Sequence, residues 1–152
     1  MSNEVLKMDK RLQNLIDGLN EDLAHEYGAA IQYTYSASVV SGLYRAALKP
    51  FFESEISDEF GHALYLSEKI KSLGGTPTTT AADVPQPTGV KDLLEATLQA
   101  ESDTIDRYEK RKKQADELGY TELVVKLEDL IADETNHKEE VERLLDDPRL
   151  SK

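Results

Sequence analysis

The chain contains no cysteine, which excludes disulfides, thiolate zinc sites, iron–sulfur clusters and a rubredoxin-type electron carrier. It has no apolar run approaching the roughly 20 residues of a membrane-spanning helix, and its N-terminus lacks the apolar stretch of a signal peptide. The expectation is a soluble, cytoplasmic protein with no membrane partner. Positive charge is also scarce. Lys and Arg total 18 against 30 Asp and Glu, a net charge of −12, which disfavours nucleic acid as a partner. The one basic cluster, Arg107 with Lys110, Arg111, Lys112 and Lys113, reads as a solvated helix end opposing the macrodipole. Proline and glycine are few, five and eight in 152 residues, and they punctuate long periodic stretches. A chain of this length is expected to form one domain, 1–152, because two halves sharing a core are viable where each alone is marginal.

What is present is an internal repeat. An offset of 75 carries Glu26 to Glu101, Tyr33 to Tyr108, Asp58-Glu59 to Asp133-Glu134 and His62 to His137. Apolar positions follow the same offset: Leu19 and Leu94, Leu23 and Leu98, Leu48 and Leu123, Ile56 and Ile131. A repeat of this kind fixes architecture before local propensity is consulted.

Apolar residues recur in alternating steps of three and four, the seam of a helix in a bundle. The pattern predicts an all-α fold of four helices at about 9–41, 46–73, 90–118 and 121–146, with Pro50 tolerated in the first turn of the second helix. Residues 76–88 carry neither period. About 14 residues at ~3.3 Å each reach ~45 Å, enough to run the length of a 28-residue helix. That crossover makes the second and third helices parallel and leaves the first two and last two as antiparallel hairpins, related by an approximate two-fold axis.

Glu26, Glu59, Glu101 and Glu134 sit on the apolar seams near the middle of each helix, and His62 and His137 follow a seam glutamate by three residues, one turn along on the same side. Burying one uncompensated carboxylate costs several kcal/mol, and four together repel one another. Two divalent cations cancel the four charges and leave two neutral imidazoles as ligands. Oxygen-rich coordination with one imidazole per metal suits iron or manganese better than zinc or copper. Asp58 and Asp133 are each expected to orient a histidine of the opposite repeat. Tyr33 and Tyr108, two turns beyond Glu26 and Glu101, are expected to donate hydroxyl hydrogen bonds to a ligand glutamate. His25 points about 100° away from Glu26 and reads as a surface or interhelix residue.

The stretches Leu19–Glu26 with Ile31-Gln32-Tyr33, Asp58-Glu59-Phe60-Gly61-His62 and Asp133-Glu134-Thr135-Asn136-His137 resemble the ferritin-like superfamily, and bacterioferritins most closely. The resemblance implies a ferritin-like four-helix bundle with two iron ions per chain, manganese being the alternative metal. Glu59 and Glu134 would bridge, Glu26 and His62 would serve one ion, and Glu101 and His137 the other. It also suggests Tyr33 as an electron source when oxygen is reduced. The haem-ligand Met of bacterioferritins is replaced by Phe60, and the only methionines are Met1 and Met8, so no haem is expected. From Asp146 only seven residues remain, to Lys152, too few for the fifth helix of a 24-subunit cage. A homo-oligomer is expected, a dimer or a dodecamer.

The leading functional expectation is a ferroxidase that oxidises Fe²⁺ with O₂ or H₂O₂ and contributes to iron sequestration. One alternative is a di-iron or di-manganese peroxidase or oxygenase acting on a small substrate. Another is a protective storage shell of the Dps kind, against which the acidic balance and the six ligands within one chain both count.

Overall fold

A computed structural model describes residues 2–150. Four helices account for most of it: α1 (Asn3–Val39), α2 (Arg45–Ser72), α3 (Val90–Glu117) and α4 (Thr121–Leu145). No strand occurs among the described residues. The all-α expectation holds, and three of the four helices fall within a residue or so of their predicted bounds.

The first helix departs from its prediction by starting six residues earlier, at Asn3. Residues 3–11 are exposed, so no apolar seam announces them. The helix there is held instead by its cap, where the Val5 backbone N–H donates to Ser2 Oγ at 3.3 Å. Pro50 is a second departure. It is the sixth residue of α2, past the first turn, and its missing N–H leaves the Ala46 carbonyl without its usual i+4 donor.

α1 packs along α2 and α3 along α4, with α1 and α3 side by side. The crossover 73–89 runs up the outside of α1. Asn20 brackets its start, donating from Nδ2 to the Thr76 carbonyl at 3.1 Å and accepting the Thr78 N–H at 2.8 Å. Further on, Ala82 N–H donates to the Ala24 carbonyl at 2.8 Å, and the Tyr35 hydroxyl to the Pro87 carbonyl at 2.7 Å. The progression 20, 24, 35 along α1 shows the segment travelling the length of the bundle, which makes α2 and α3 parallel. Gly28 lets it pass, since a Cβ there would stand 3.0 Å from the Ala82 carbonyl oxygen.

Two apolar clusters fill the bundle. One gathers Leu15, Leu19, Leu23, Leu66, Ile70 and Leu127, and the other Tyr33, Val40, Phe52, Leu93, Leu94 and Val141. Leu150, in a 3₁₀ turn after α4, tucks into the second cluster. Between the clusters the interior is polar, and there the candidate site lies.

The basic cluster is not wholly solvated. Arg111 is 2% exposed. It donates to both carboxylate oxygens of buried Asp22, from Nε at 2.8 Å and from Nη2 at 3.1 Å, while Nη1 reaches Gln114 Oε1 at 2.6 Å. Arg111 follows Tyr108 by three residues and therefore shares its inward face, so position on the helix overrides the charge pattern. Gly18 makes room, because a Cβ there would collide with the guanidinium. At the repeat-related positions stand Leu93, Thr97 and Ser36, all buried and uncharged. The two-fold relation is thus broken at this end of the bundle.

Candidate metal centre

Each of the four helices contributes one glutamate to the polar layer: Glu26, Glu59, Glu101 and Glu134 are 1–4% exposed. His62 and His137 enter from α2 and α4 with partly covered side chains. His62 Nδ1 lies 3.5 Å from Glu26 Oε2, 3.5 Å from Glu134 Oε1 and 4.0 Å from Glu59 Oε1. His137 Nδ1 lies 3.9 Å from Glu101 Oε1 and 3.9 Å from Glu134 Oε2. Ligand atoms of Glu26, Glu59, His62 and Glu134 fall within 4.8 Å of one another, as do those of Glu101, Glu134 and His137. Glu134 belongs to both groups and turns one oxygen to each. Glu59, the other glutamate expected to bridge, belongs to the first.

Among the described residues, buried side-chain N or O atoms without a hydrogen-bond partner occur on these six residues and on Glu55. A buried polar atom normally has a partner, and leaving one without costs about 1–3 kcal/mol or more when charged. Six such atoms, four carboxylate oxygens and two imidazole Nδ1 atoms, lie on residues that form two groups joined at Glu134, a donor set of the kind a pair of divalent cations takes.

The electrostatics agree. Burial, then the charge of Glu26, pushes Glu59 well above the ordinary carboxylate range. Glu134 is also raised by burial, against the pull of His62. Burial opposes ionisation of Glu26 as well, but His62, Glu59 and Tyr108 outweigh it and hold that group low. His62 responds in kind. Burial favours its neutral form, yet Glu134 and Glu26 drive it up to about 10. Without metal, protons supply the positive charge this layer needs.

The tyrosines cross the repeat. Tyr33 donates its hydroxyl to Glu101 Oε1, and Tyr108 donates to Glu26 Oε1. His62 Nε2 faces Asp133 Oδ2 at 3.7 Å, from the opposite repeat as expected. His137 does not mirror it. Its Nε2 meets Glu55 Oε2 at 2.9 Å, while exposed Asp58 stands behind with an oxygen within 4.8 Å. Glu55 lies one turn before Glu59 on the same face and is 8% exposed. Sequence reading missed it because its repeat counterpart is Leu130. An acidic residue at that i−4 spacing from a seam glutamate was the available signal. His25 lies outside these groups and lines a surface cavity of about 250 Å³ beneath the crossover.

Residues 16–151 match the family described as the ferritin-like domain. A bacterial ferritin of Neisseria meningitidis serogroup A is 29% identical over 138 residues, covering 88% of this chain and 90% of the relative. The crystal structure of a ferritin-like, diiron-carboxylate protein from Bacillus anthracis str. Ames is 62% identical with a TM-score of 0.88, covering 96% of this chain and all of that one (100%). The bacterioferritin of Desulfovibrio desulfuricans, described by its diiron site, is 26% identical with a TM-score of 0.84, covering 99% of this chain and 90% of its own.

Proposed function

The chain belongs to the ferritin-like family, and from that premise we propose that it is a ferroxidase, binding two Fe²⁺ as substrate and passing iron on in the ferric state. We read residues 1–152 as one domain, with Glu26, Glu59, His62, Glu101, Glu134 and His137 as the metal ligands. The single observation that carries this reading is that all six have a buried polar atom without a hydrogen-bond partner, in two groups joined at Glu134.

Iron bound here supplies one electron per ion. O₂ then takes two electrons and two protons to leave as H₂O₂, or H₂O₂ takes two of each to leave as water. Two ligand groups joined at Glu134 would hold the ions side by side, so the two-electron step needs no diffusion between them. Glu134, with one oxygen toward each half, is the shared carboxylate. Where only one Fe²⁺ is bound, Tyr33 is placed to supply the second electron in its stead, its phenolic proton passing to Glu101.

The cavity beside Glu59, Glu101 and Glu134 measures about 10 Å³, room for a single water-sized molecule. A space of that size favours a small oxidant over an organic substrate, which supports a ferroxidase over an oxygenase or peroxidase of small organic molecules. Its walls Ala29, Gln32, Ala100 and Thr104 are shared with the larger cavity under the crossover, so the two spaces adjoin. Iron is the proposed metal. Haem is not part of the reading, since Phe60, 51% exposed, stands where the ligand Met would be. Among the described residues no helix is long and apolar enough to cross a membrane, and a cytoplasmic setting is proposed. Exposed Ile31, Phe60 and Leu64 on α1 and α2 support a homo-oligomer, dimer or dodecamer.

The test is rapid mixing of metal-free protein with Fe²⁺ in aerobic buffer, followed by near-ultraviolet absorbance. Wild type is expected to oxidise two Fe²⁺ per chain in a fast phase that Glu134→Ala loses. A Glu134→Ala protein retaining that phase would refute the assignment.

A further inference from the structure

We propose that Glu55 is the positioning residue for His137 and that it makes the two metal positions unequal. The inference rests on reading Glu101, Glu134 and His137 as one of those positions. Three observations carry it. Glu55 is 8% exposed and places Oε2 at 2.9 Å from His137 Nε2. The carboxylate opposite His62 is Asp133, 3.7 Å away with a side chain 59% exposed. The repeat-related position of Glu55 is Leu130, 2% exposed, so the His62 half has no second buried acid to offer.

An imidazole between a metal and a carboxylate is fixed in ring orientation and tautomer by the hydrogen bond on its distal nitrogen, and its basicity toward the metal rises. Glu55 Oε2, buried and without a hydrogen-bond partner of its own, stands 2.9 Å from His137 Nε2, where a small turn of the ring lets it take that N–H and leave the Nδ1 lone pair facing Glu101 and Glu134. The Glu55 oxygen is closed off from water, so solvent screens this contact little. Asp133 is hydrated, distant and screened, so it holds His62 weakly. A pseudo-symmetric ligand set is thereby given two different histidines.

The experiment is an anaerobic Co²⁺ titration of the full chain, reading d–d absorption, for wild type, Glu55→Leu (the residue the repeat supplies at 130), Glu55→Gln and Asp133→Asn. Wild type is expected to bind two Co²⁺ with separable affinities. Glu55→Leu weakens one of them about 10- to 100-fold and changes the band of that ion alone. Glu55→Gln, whose amide oxygen still accepts the Nε2–H, restores part of the loss, and Asp133→Asn shifts neither affinity more than about threefold. Thermal unfolding of the metal-free proteins separates positioning from structure: Glu55→Leu removes a buried carboxylate and raises Tm, whereas loss of a structural contact would lower it. Two unaltered affinities in Glu55→Leu overturn the proposal, as does an equal loss at both sites with a lowered Tm. Wild type binding fewer than two Co²⁺ overturns the site assignment itself, and this inference with it.

Discussion

The Tyr33 hydroxyl donates to Oε1 of Glu101, a carboxylate carried by the other half of the repeat, and Tyr108 returns the gesture to Glu26. Each half of the bundle thus holds a buried glutamate of the other in place, and burial with the surrounding carboxylates keeps both phenols protonated, their pKa values well above the ordinary range. Removing either hydroxyl leaves a buried carboxylate oxygen without its donor. Tyr33→Phe and Tyr108→Phe are each expected to cost the metal-free protein about 1–3 kcal/mol in urea unfolding. Only Tyr33→Phe should slow Fe²⁺ oxidation and abolish a tyrosyl radical signal in electron paramagnetic resonance. Equal kinetic effects in the two variants would remove the electron-donating role from Tyr33.

The metal-free protein should lose stability as pH rises. Glu59 is raised by burial and by Glu26, so the native state holds a proton that the unfolded chain releases near the ordinary carboxylate value. Its contribution is full below that value and declines above it. His62, raised to about 10 from 6.5, contributes fully below 6.5 and nothing above about 10. Both act in one direction. Tm measured with a chelator present is expected to fall between pH 6.5 and 10, while Co²⁺ affinity rises over the lower part of the same range as protons cease to compete. A Tm that is flat or rising with pH would contradict this account of the layer.

Function and stability oppose each other at Glu134. Replacing one member of a mutually repelling, buried carboxylate set with an apolar side chain of similar size relieves both desolvation and repulsion. Glu134→Leu is expected to stabilise the metal-free protein by about 1–4 kcal/mol and to reduce Co²⁺ stoichiometry below two. Calorimetry with and without Co²⁺ checks both halves of the statement. Wild type should gain Tm on metal addition, and the variant should gain little.

Asp22 and Arg111 form a fully buried ion pair whose space exists because residue 18 is glycine. Asp22→Ala leaves a guanidinium buried without its carboxylate and is expected to cost about 3–5 kcal/mol. Gly18→Ala forces the guanidinium out and should cost a comparable amount, read from guanidinium chloride unfolding. The double change Gly18→Ala with Arg111→Leu should recover much of the loss. Additive costs would show that the glycine serves some other contact.

Much of this was legible from local pattern. A bundle helix announces itself by spacing alone, and a 75-residue offset doubled the signal, so helix bounds at residues 45–145 and the convergence of six polar side chains needed no coordinates. Glu55 was hidden by the same repeat that exposed the others, because its counterpart is Leu130. Arg111 was read from its charged neighbours although its place on the helix pointed inward.

By itself the sequence determined that acidic groups would face an apolar interior, because side-chain direction on a helix follows from residue spacing. Only the tertiary structure decided which partner each group meets. Tyr33 finding Glu101, His137 finding Glu55 and Asp22 finding Arg111 depend on how far apart neighbouring helices stand and how they are rotated, and those quantities are set by packing across the whole bundle.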